Sequence, residues 1–226
     1  MTSGTNGNAN ANANGAAGTE LLAGNGVMLV RERALAARVQ GGLERLYQLD
    51  RVVEVHDFVE PAREGEREAL LVREGDDGTL ELRLQLPQLG DTKDVRLDVL
   101  CQIIEGVSHF VYVANRAAEG REATQLEMEM QAEVDKYVVL ASSLGASTVE
   151  ASARLRERLF ERVRYTHDAA SELGERYRVA NDVAHGFVRK LEGRFVAARN
   201  WPALRGELRH FFRMGQAEKV RLGRAA

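Results

Sequence analysis

The sequence contains one cysteine in 226 residues and no apolar run long enough to cross a bilayer. A single cysteine excludes an intramolecular disulfide framework and a cysteine-based zinc finger, and it fits a reducing compartment. Because a membrane-spanning helix needs about 20 predominantly apolar residues, the sequence predicts no membrane span. Together these absences predict a soluble, cytoplasmic protein.

Motifs that bind nucleotides are also lacking. The sequence has no GxGxxG fingerprint, no P-loop and no internal repeat of about 20–50 residues, so nucleotide-binding α/β folds have no support. The N-terminus lacks the basic region and apolar core of a secretory signal. Charge of neither sign dominates, since 31 Lys and Arg face 34 Asp and Glu for a net charge of −3. That balance neither demands nor excludes a polyanionic partner.

Composition divides the chain into three segments. Residues 1–26 consist almost entirely of Asn, Gly, Ala, Ser and Thr, and such a segment buries too little apolar surface to offset its ordering entropy. We therefore predict a disordered leader over residues 1–26. An α+β core is predicted over residues 27–200, and a basic C-terminal helix and tail over residues 201–226.

The first part of the core combines a helix with a small sheet. An apolar stripe at helical spacing predicts a helix within residues 27–49 and consists of Leu35, Val39, Leu43 and Leu46. Three strands are predicted next, at residues 51–60, 68–74 and 79–87. In the last of these, leucines alternate with polar residues, and the Gly- and Asp-rich link before it is typical of a hairpin turn.

From about residue 94 onward the apolar spacing predicts five helices. Thr124 and Glu127 match a capping box that opens the second of them, and Asp168 is predicted to cap the fourth. Strands that precede helices, rather than alternating with them, favour an α+β fold. We predict an N-terminal helix and a small antiparallel sheet of about three strands, followed by a predominantly helical C-terminal two-thirds.

The helix that begins near residue 94 carries a second, polar stripe. Its members step by 4, 4 and 3 residues along one face and are Cys101, Glu105, His109 and Tyr112. A thiol, a carboxylate, an imidazole and a phenol in a row are candidates for acid–base catalysis. The alternative is a structural stripe with a Glu–His pair on the wetter side of the helix and a buried, inert cysteine.

The same stripe supplies candidate metal ligands. Glu105 and His109 are one turn apart, and Asp182 and His185, at i and i+3 on a later helix, could complete a site with them. Glu129 and Glu133 share a face of the capped helix and could also converge on an ion, but the preferred interpretation of this pair is a solvated acidic face. The sequence itself points to no cofactor.

Charge is concentrated at the C-terminal end. Residues 188–226 hold ten basic and three acidic residues. Arg205, Arg209 and Arg213 repeat every four residues along one helical stripe and are candidates for binding an anion or a protein partner. They could instead pair with the acidic segment at residues 119–135, in the same chain or in a second subunit.

These observations favour a non-enzymatic protein-interaction protein, an adaptor or regulator with charged helical faces that associates with a protein partner or with itself. One alternative is a metal-dependent or redox enzyme that uses the Cys101, Glu105 and His109 stripe. A second alternative is a nucleic-acid-associated protein that uses the basic C-terminal end.

Overall fold

The computed structural model describes residues 17–76, 79–90 and 96–225. The helices are α1 (Ala17–Tyr47), α2 (Leu97–Ala118), α3 (Gln125–Ser143), α4 (Val149–Arg156), α5 (Glu172–Leu191), α6 (Trp201–Arg213) and α7 (Gln216–Arg224). The strands are β1 (Val59–Pro61), β2 (Ala69–Glu74) and β3 (Leu80–Leu86). A three-stranded sheet lies in the N-terminal part and helices dominate the rest, so the predicted α+β class is confirmed.

The predicted hairpin forms the centre of the sheet. β2 and β3 pair in antiparallel fashion, with Leu70 opposite Leu84, whereas β1 pairs with the other edge of β3 in parallel. The sheet is therefore mixed, and the expected antiparallel pairing holds for β2 and β3 only. The leucines of β3 predict that one face of this strand is buried. At the end of the strand Leu84 and Leu86 are fully buried against α2, because the face that carries them meets the core.

Helix α2 is the central element of the core. Ile103, Ile104 and Phe110 are completely buried between α1, α3 and the sheet. The sheet approaches α2 closely at Gly106, where a methyl group would lie 3.0 Å from Leu84. This approach brings the residues just before β2 against the polar stripe of α2.

Among the described helices, α2 alone has the length and composition to cross a membrane. Its 18-residue window has a mean hydropathy of 1.4, and 67% of that window is buried inside the protein. A helix that is surrounded by other elements has this composition because its faces meet the core. The predicted lack of a membrane span stays a prediction.

Helices α2 and α3 form an antiparallel hairpin. Gly120, at φ 66°, ends the first helix in the left-handed region that glycine adopts readily. The predicted capping box opens the second: Glu127 N–H donates to Thr124 Oγ1 over 3.1 Å, and Thr124 N–H donates to Glu127 Oε2 over 3.2 Å. The hairpin fixes which residues of the two helices lie at the same level.

The start of α1 and the C-terminal segment differ from the sequence expectations. Helix α1 begins at Ala17, so part of the predicted disordered leader is helical, and residues 1–16 lie outside the described residues. At the C-terminus, α6 is followed by a second helix, α7, rather than by a tail. Helix α7 is held partly by Glu127, whose Oε1 accepts a hydrogen bond of 2.6 Å from the N–H of Gln216.

A buried polar network lies on the side of α3 that faces α1 and α7. The Asp135 carboxylate accepts hydrogen bonds from Tyr47, from Ser108 (2.6 Å) and from Gln131 (3.0 Å). Lys219 of α7 is completely buried and donates to Gln131 over 2.9 Å. Every member has a partner, as a buried network requires.

The segment before α5 folds back onto that helix. Ser171, not the predicted Asp168, is the N-cap and accepts a hydrogen bond of 3.0 Å from the N–H of Gly174. Asp168 instead accepts from Ala170 in the preceding turn (3.0 Å). A Cβ atom at Gly174 would lie 1.8 Å from the carbonyl oxygen of Asp168, so only glycine allows this close approach.

We predict opposite effects for two glycine substitutions in helices. Gly174→Ala forces the backbone at Asp168 away and should lower the free energy of unfolding by about 1–3 kcal/mol. Gly206→Ala, in α6 with open space around its Cβ position, should raise it by up to about 1 kcal/mol because alanine favours the helix. Urea unfolding of both variants measures the difference, and a Gly174→Ala variant as stable as Gly206→Ala would contradict the fold-back described for this segment.

Candidate metal centre and adjoining cavity

Two polar residues on each helix of the α2–α3 hairpin face each other. Glu105 and His109 are four residues apart on α2, and Glu129 and Glu133 have the same spacing on α3. Because the helices are antiparallel, His109 lies level with Glu129, and their Nε2 and Oε2 atoms are 3.7 Å apart. One ligand atom from each of Glu105, His109 and Glu129 lies within 4.8 Å of the other two.

This cluster is largely removed from solvent. Glu105 is 4% exposed, Glu129 is 8% exposed, and the side chain of His109 is 14% exposed. The segment before β2 approaches it with Arg67 and Glu68, as the close packing at Gly106 allows. Charged groups at such depth are stable only when they are paired or neutralised.

Lys136 provides most of the neutralising charge. Its ammonium group donates to Glu105 Oε2 over 3.1 Å and to Glu133 Oε1 over 2.8 Å, and so joins α3 to α2. Burial alone would lower the pKa of Lys136, but the two carboxylates raise it well above its ordinary value. Lys136 is therefore a fixed positive charge at neutral pH.

Two arginines complete the surroundings at longer range. Arg67 lies 3.7 Å from Glu68 and 3.8 Å from Glu105, and Arg176 lies 3.8 Å from Glu129. These distances are ion pairs without hydrogen bonds, since an N–H···O bond spans about 2.7–3.2 Å. Glu129 therefore lacks the close partner that Glu105 and Glu133 share.

The pKa values follow from this uneven pairing. Burial raises the pKa of Glu129 to about 8, helped by the nearby Glu105 carboxylate, and burial likewise raises that of Glu68 to about 8. Burial opposes ionisation of Glu105 too, but Lys136 keeps its pKa below the ordinary value. Burial lowers the pKa of His109, so the imidazole is neutral at pH 7.

Several buried polar atoms of the cluster lack hydrogen-bond partners among the described residues. They are His109 Nε2, Glu68 Oε2 and Arg176 Nε. A buried polar atom without a partner costs about 1–3 kcal/mol, and most native proteins contain few of them. Three of the seven such atoms among the described residues therefore lie in or beside this cluster.

A cavity of about 510 Å³ adjoins the cluster, and the two meet at Glu105. Part of its lining comes from α2, α3 and the segment before β2, including Cys101, Glu133 and Arg67. The rest comes from Arg158, Leu159 and residues 162–167, and from Gly174 and Tyr177 of α5. The volume falls within the range of about 300–1,000 Å³ that is typical of small-molecule sites.

The predicted stripe on α2 divides between two environments. Cys101 lines the cavity, but burial raises the pKa of its thiol to about 11, so it stays protonated and is a poor nucleophile or metal ligand at neutral pH. Tyr112 is fully buried elsewhere, where its hydroxyl accepts a hydrogen bond of 2.6 Å from Arg116. The prediction that Tyr112 shares a site with Glu105 and His109 is corrected. Tyr112 lies on the same face of α2, but about 10 Å further along the helix axis than Glu105. At that level the face packs against α6 and α7.

The second predicted pair of metal ligands also lies apart from the cluster. His185 is 3.2 Å from Glu161 and stacks on Phe160, and it contacts Arg156. Asp182 is exposed on the same helix. The structure therefore does not bring Asp182 and His185 together with Glu105 and His109, and the third candidate ligand beside that pair is Glu129, from α3 rather than α5.

The basic stripe of α6 is only partly available for a partner. Arg205 and Arg213 are exposed, but Arg209 donates a hydrogen bond of 2.7 Å to the carbonyl oxygen of Leu46 near the end of α1. That contact stabilises the C-terminus of α1. Arg209 thus has a structural role that the repeat of four residues did not reveal.

Sequence reasoning missed the cationic members of the cluster. Lys136, Arg67 and Arg176 come from three separate segments, and only the tertiary fold brings them together. One available signal was the spacing of Glu129 and Glu133, which matches that of Glu105 and His109 on a neighbouring helix joined by a short loop. The other available signal was Lys136 itself, which follows Glu133 by three residues and so lies near it on the same helix face.

Models of protein families, curated proteins and solved structures were compared with the chain, and none of them matches it.

We predict that Glu129→Gln stabilises the metal-free protein in a pH-dependent way. Between the ordinary pKa of a glutamate and about 8, the folded protein holds the Glu129 proton more tightly than the unfolded chain does, so stability falls as pH rises. Glutamine cannot ionise, so the variant should exceed the wild type by only about 1 kcal/mol at pH 5 but by about 4–5 kcal/mol at pH 8.5. Chemical denaturation at both pH values, with chelator present, measures this gain.

Glu122→Gln serves as the matched control, because Glu122 is an exposed glutamate close to the same helix. It should change stability little at either pH. A Glu129→Gln gain that is the same at pH 5 and pH 8.5 would show that Glu129 is already ionised in the folded protein, contrary to the burial argument.

Proposed function

We propose that this protein is a metal-dependent enzyme that holds a divalent transition-metal ion through Glu105, His109 and Glu129. The observation that carries the proposal is the buried His109 Nε2 atom, which has no hydrogen-bond partner among the described residues and faces a carboxylate oxygen 3.7 Å away. Burial keeps the imidazole neutral and holds a proton on Glu129 near pH 7, and a divalent cation between the two groups would displace that proton and accept electron pairs from both. A metal ion satisfies both groups at once.

The donor set indicates the kind of metal. One imidazole and two carboxylates suit Zn²⁺, Mn²⁺, Fe²⁺ or Co²⁺, whereas Mg²⁺ and Ca²⁺ favour oxygen ligands alone and Cu⁺ favours sulfur. Glu105 Oε2 is engaged by Lys136, which leaves the other carboxylate oxygen for the ion and holds the side chain in place. Lys136 is thus a positioning residue rather than a ligand.

Three protein ligands support a catalytic role over a structural one. Structural zinc sites are closed by four protein ligands, while catalytic sites keep a position for water or substrate. Here Glu105 belongs both to the ligand cluster and to the cavity wall, so substrate in the cavity can approach the ion. A metal ion in such a place acts as a Lewis acid or lowers the pKa of bound water.

The protein-interaction hypothesis has less support from the fold. It relied on an acidic surface at residues 119–135 to pair with the basic C-terminal end, yet Glu127, Glu129 and Asp135 of that segment are buried. The nucleic-acid hypothesis keeps Arg205 and Arg213 as exposed candidates, with Arg209 engaged at α1. The metal-dependent interpretation accounts for the unpartnered His109 Nε2 atom, which the other two leave unexplained.

We predict that the purified protein binds one equivalent of Zn²⁺, Mn²⁺ or Co²⁺, and that His109→Ala and Glu129→Gln each weaken binding by at least tenfold because each removes a ligand. His185→Ala is the matched control, since it removes a half-buried histidine from a different cluster. Isothermal titration calorimetry and metal analysis after dialysis measure the affinities. Wild-type protein that binds none of the three metals, or His185→Ala that loses as much affinity as His109→Ala, would refute the proposed centre.

Metal affinity should also rise with pH. Glu129 holds its proton up to a pKa of about 8, so a metal ion has to displace that proton at lower pH. While one proton is displaced, affinity should increase by up to about tenfold per pH unit between pH 6 and pH 8. Titrations in two buffers of different ionisation enthalpy report the released proton, and affinity independent of pH over that range would exclude Glu129 as a ligand.

A further inference from the structure

The cavity beside the proposed metal centre has a basic lining whose positive charge is only partly compensated. Its three carboxylates are already engaged: Glu105 and Glu133 accept from Lys136, and Asp98 accepts a hydrogen bond of 2.9 Å from Gln102. The lining carries five Lys and Arg side chains, namely Arg67, Lys136, Arg158, Arg162 and Arg164. Five cationic side chains therefore face three carboxylates in the lining.

Three of the arginines have hydrogen-bonding groups to spare. Arg162 is engaged by Glu157 at 2.6 Å, but Arg158 and Arg164 make no hydrogen bond or ion pair with the described residues. Arg67 makes only the two long ion pairs beyond hydrogen-bond distance. Arg67 lines the cavity from the segment before β2, and Arg158 and Arg164 line it from the stretch between α4 and α5. Guanidinium groups that line one cavity from separate segments are suited to hold an anion together.

The same cavity also exposes apolar surface. Val163 and Tyr165 are 38% and 37% exposed, and both line the cavity from the stretch between α4 and α5. They alternate with Arg162 and Arg164 along the chain. Tyr177 contributes an aromatic ring that stacks on His167, with centroids 5.7 Å apart and an angle of 12° between the planes. Apolar and aromatic side chains with a few polar groups are typical of a site for an organic molecule.

We infer that the cavity binds a small organic anion, with an apolar body against Tyr165 and Val163 and a carboxylate or phosphate group held by Arg67, Arg158 and Arg164. This inference names the substrate class of the proposed metal-dependent enzyme and rests on that function for its catalytic meaning. The binding itself depends on the arginines and not on the metal ion, so the two can be tested separately.

The test measures binding to metal-free protein, dialysed against chelator, by calorimetry. The probes are two organic anions, phenyl phosphate and phenylacetate. Inorganic phosphate is the control that has the charge without an apolar body, and benzyl alcohol is the control that has the apolar body without a charge. We expect at least one of the two organic anions to bind more tightly than both partial probes by tenfold or more. The preferred head group distinguishes a phosphate site from a carboxylate site.

Two variants assign the binding to the cavity. Arg164→Gln should weaken organic-anion binding about tenfold, since it removes a charged hydrogen-bond donor from an exposed position that the fold does not need. Arg38→Gln is the matched control, because Arg38 is an exposed arginine on α1, a helix that contributes no residue to the cavity lining. Tyr165→Ser should weaken phenyl phosphate binding several-fold and leave inorganic phosphate unchanged.

The outcomes separate this inference from the proposed function. Failure of both organic anions to bind, in protein that still binds metal, would overturn the inference and leave the metal centre intact. Equal losses in Arg164→Gln and Arg38→Gln would also overturn it, because the anion would then bind by general electrostatic attraction. Organic-anion binding that depends on Arg164 in protein that binds no metal would support the inference and refute the metal centre.

Discussion

The arrangement of the site depends on the hydrogen bonds that the ammonium group of Lys136 donates. This group donates to Glu105 on α2 and to Glu133 on its own helix, and it lies where several carboxylates and an imidazole are removed from water. A buried charge without a partner costs several kcal/mol, so these carboxylates ionise only beside a fixed cation. Lys136 thereby fixes the rotamer of Glu105 and the level at which the two helices of the hairpin face each other.

The compensation provided by Lys136 extends only to Glu105 and Glu133. Glu129, one turn away on α3, meets Arg176 at 3.8 Å and His109 at 3.7 Å, and neither distance is a hydrogen bond. Within the cluster, Glu105 and Glu133 therefore have a hydrogen-bonded cation, whereas Glu129, one helical turn away, has none. A protein that needed only to fold gains stability when apolar side chains replace such groups, so the unpaired level indicates a function that costs stability.

The sequence predicted the elements better than the site. Alternating leucines in β3 and the Thr124–Glu127 box each report on neighbours within a few residues, which is why the hairpin and the start of α3 were predicted correctly. The polar residues of α3 were harder to interpret because the helix is polar on two sides. Glu129 and Glu133 face α2, whereas Gln131 and Asp135 face Tyr47 and Lys219.

A helix that is polar on two faces resembles a solvated helix in sequence, and only the position of its neighbours distinguishes the two cases. Lys219 shows the same limit: within a basic C-terminal segment it counts as a surface charge, yet α7 inserts it into the core. There burial lowers the pKa of the amine to about 7, although Asp135 nearby opposes the change. Its position depends on Glu127 and Gln131, which are about 90 residues earlier in the chain.

The two buried polar clusters on α3 differ in a way that separates structure from function. Around Asp135, hydroxyl and amide groups donate hydrogen bonds at ordinary distances, and they oppose the effect of burial so that its pKa rises only to about 6. Around Glu129, no hydrogen bond opposes burial, and its pKa rises to about 8. Both carboxylates lie on the same helix at similar depth, so burial alone does not explain the difference. The Asp135 cluster is satisfied within the protein, and the Glu129 cluster, beside the cavity, is the one at which we propose a bound metal ion.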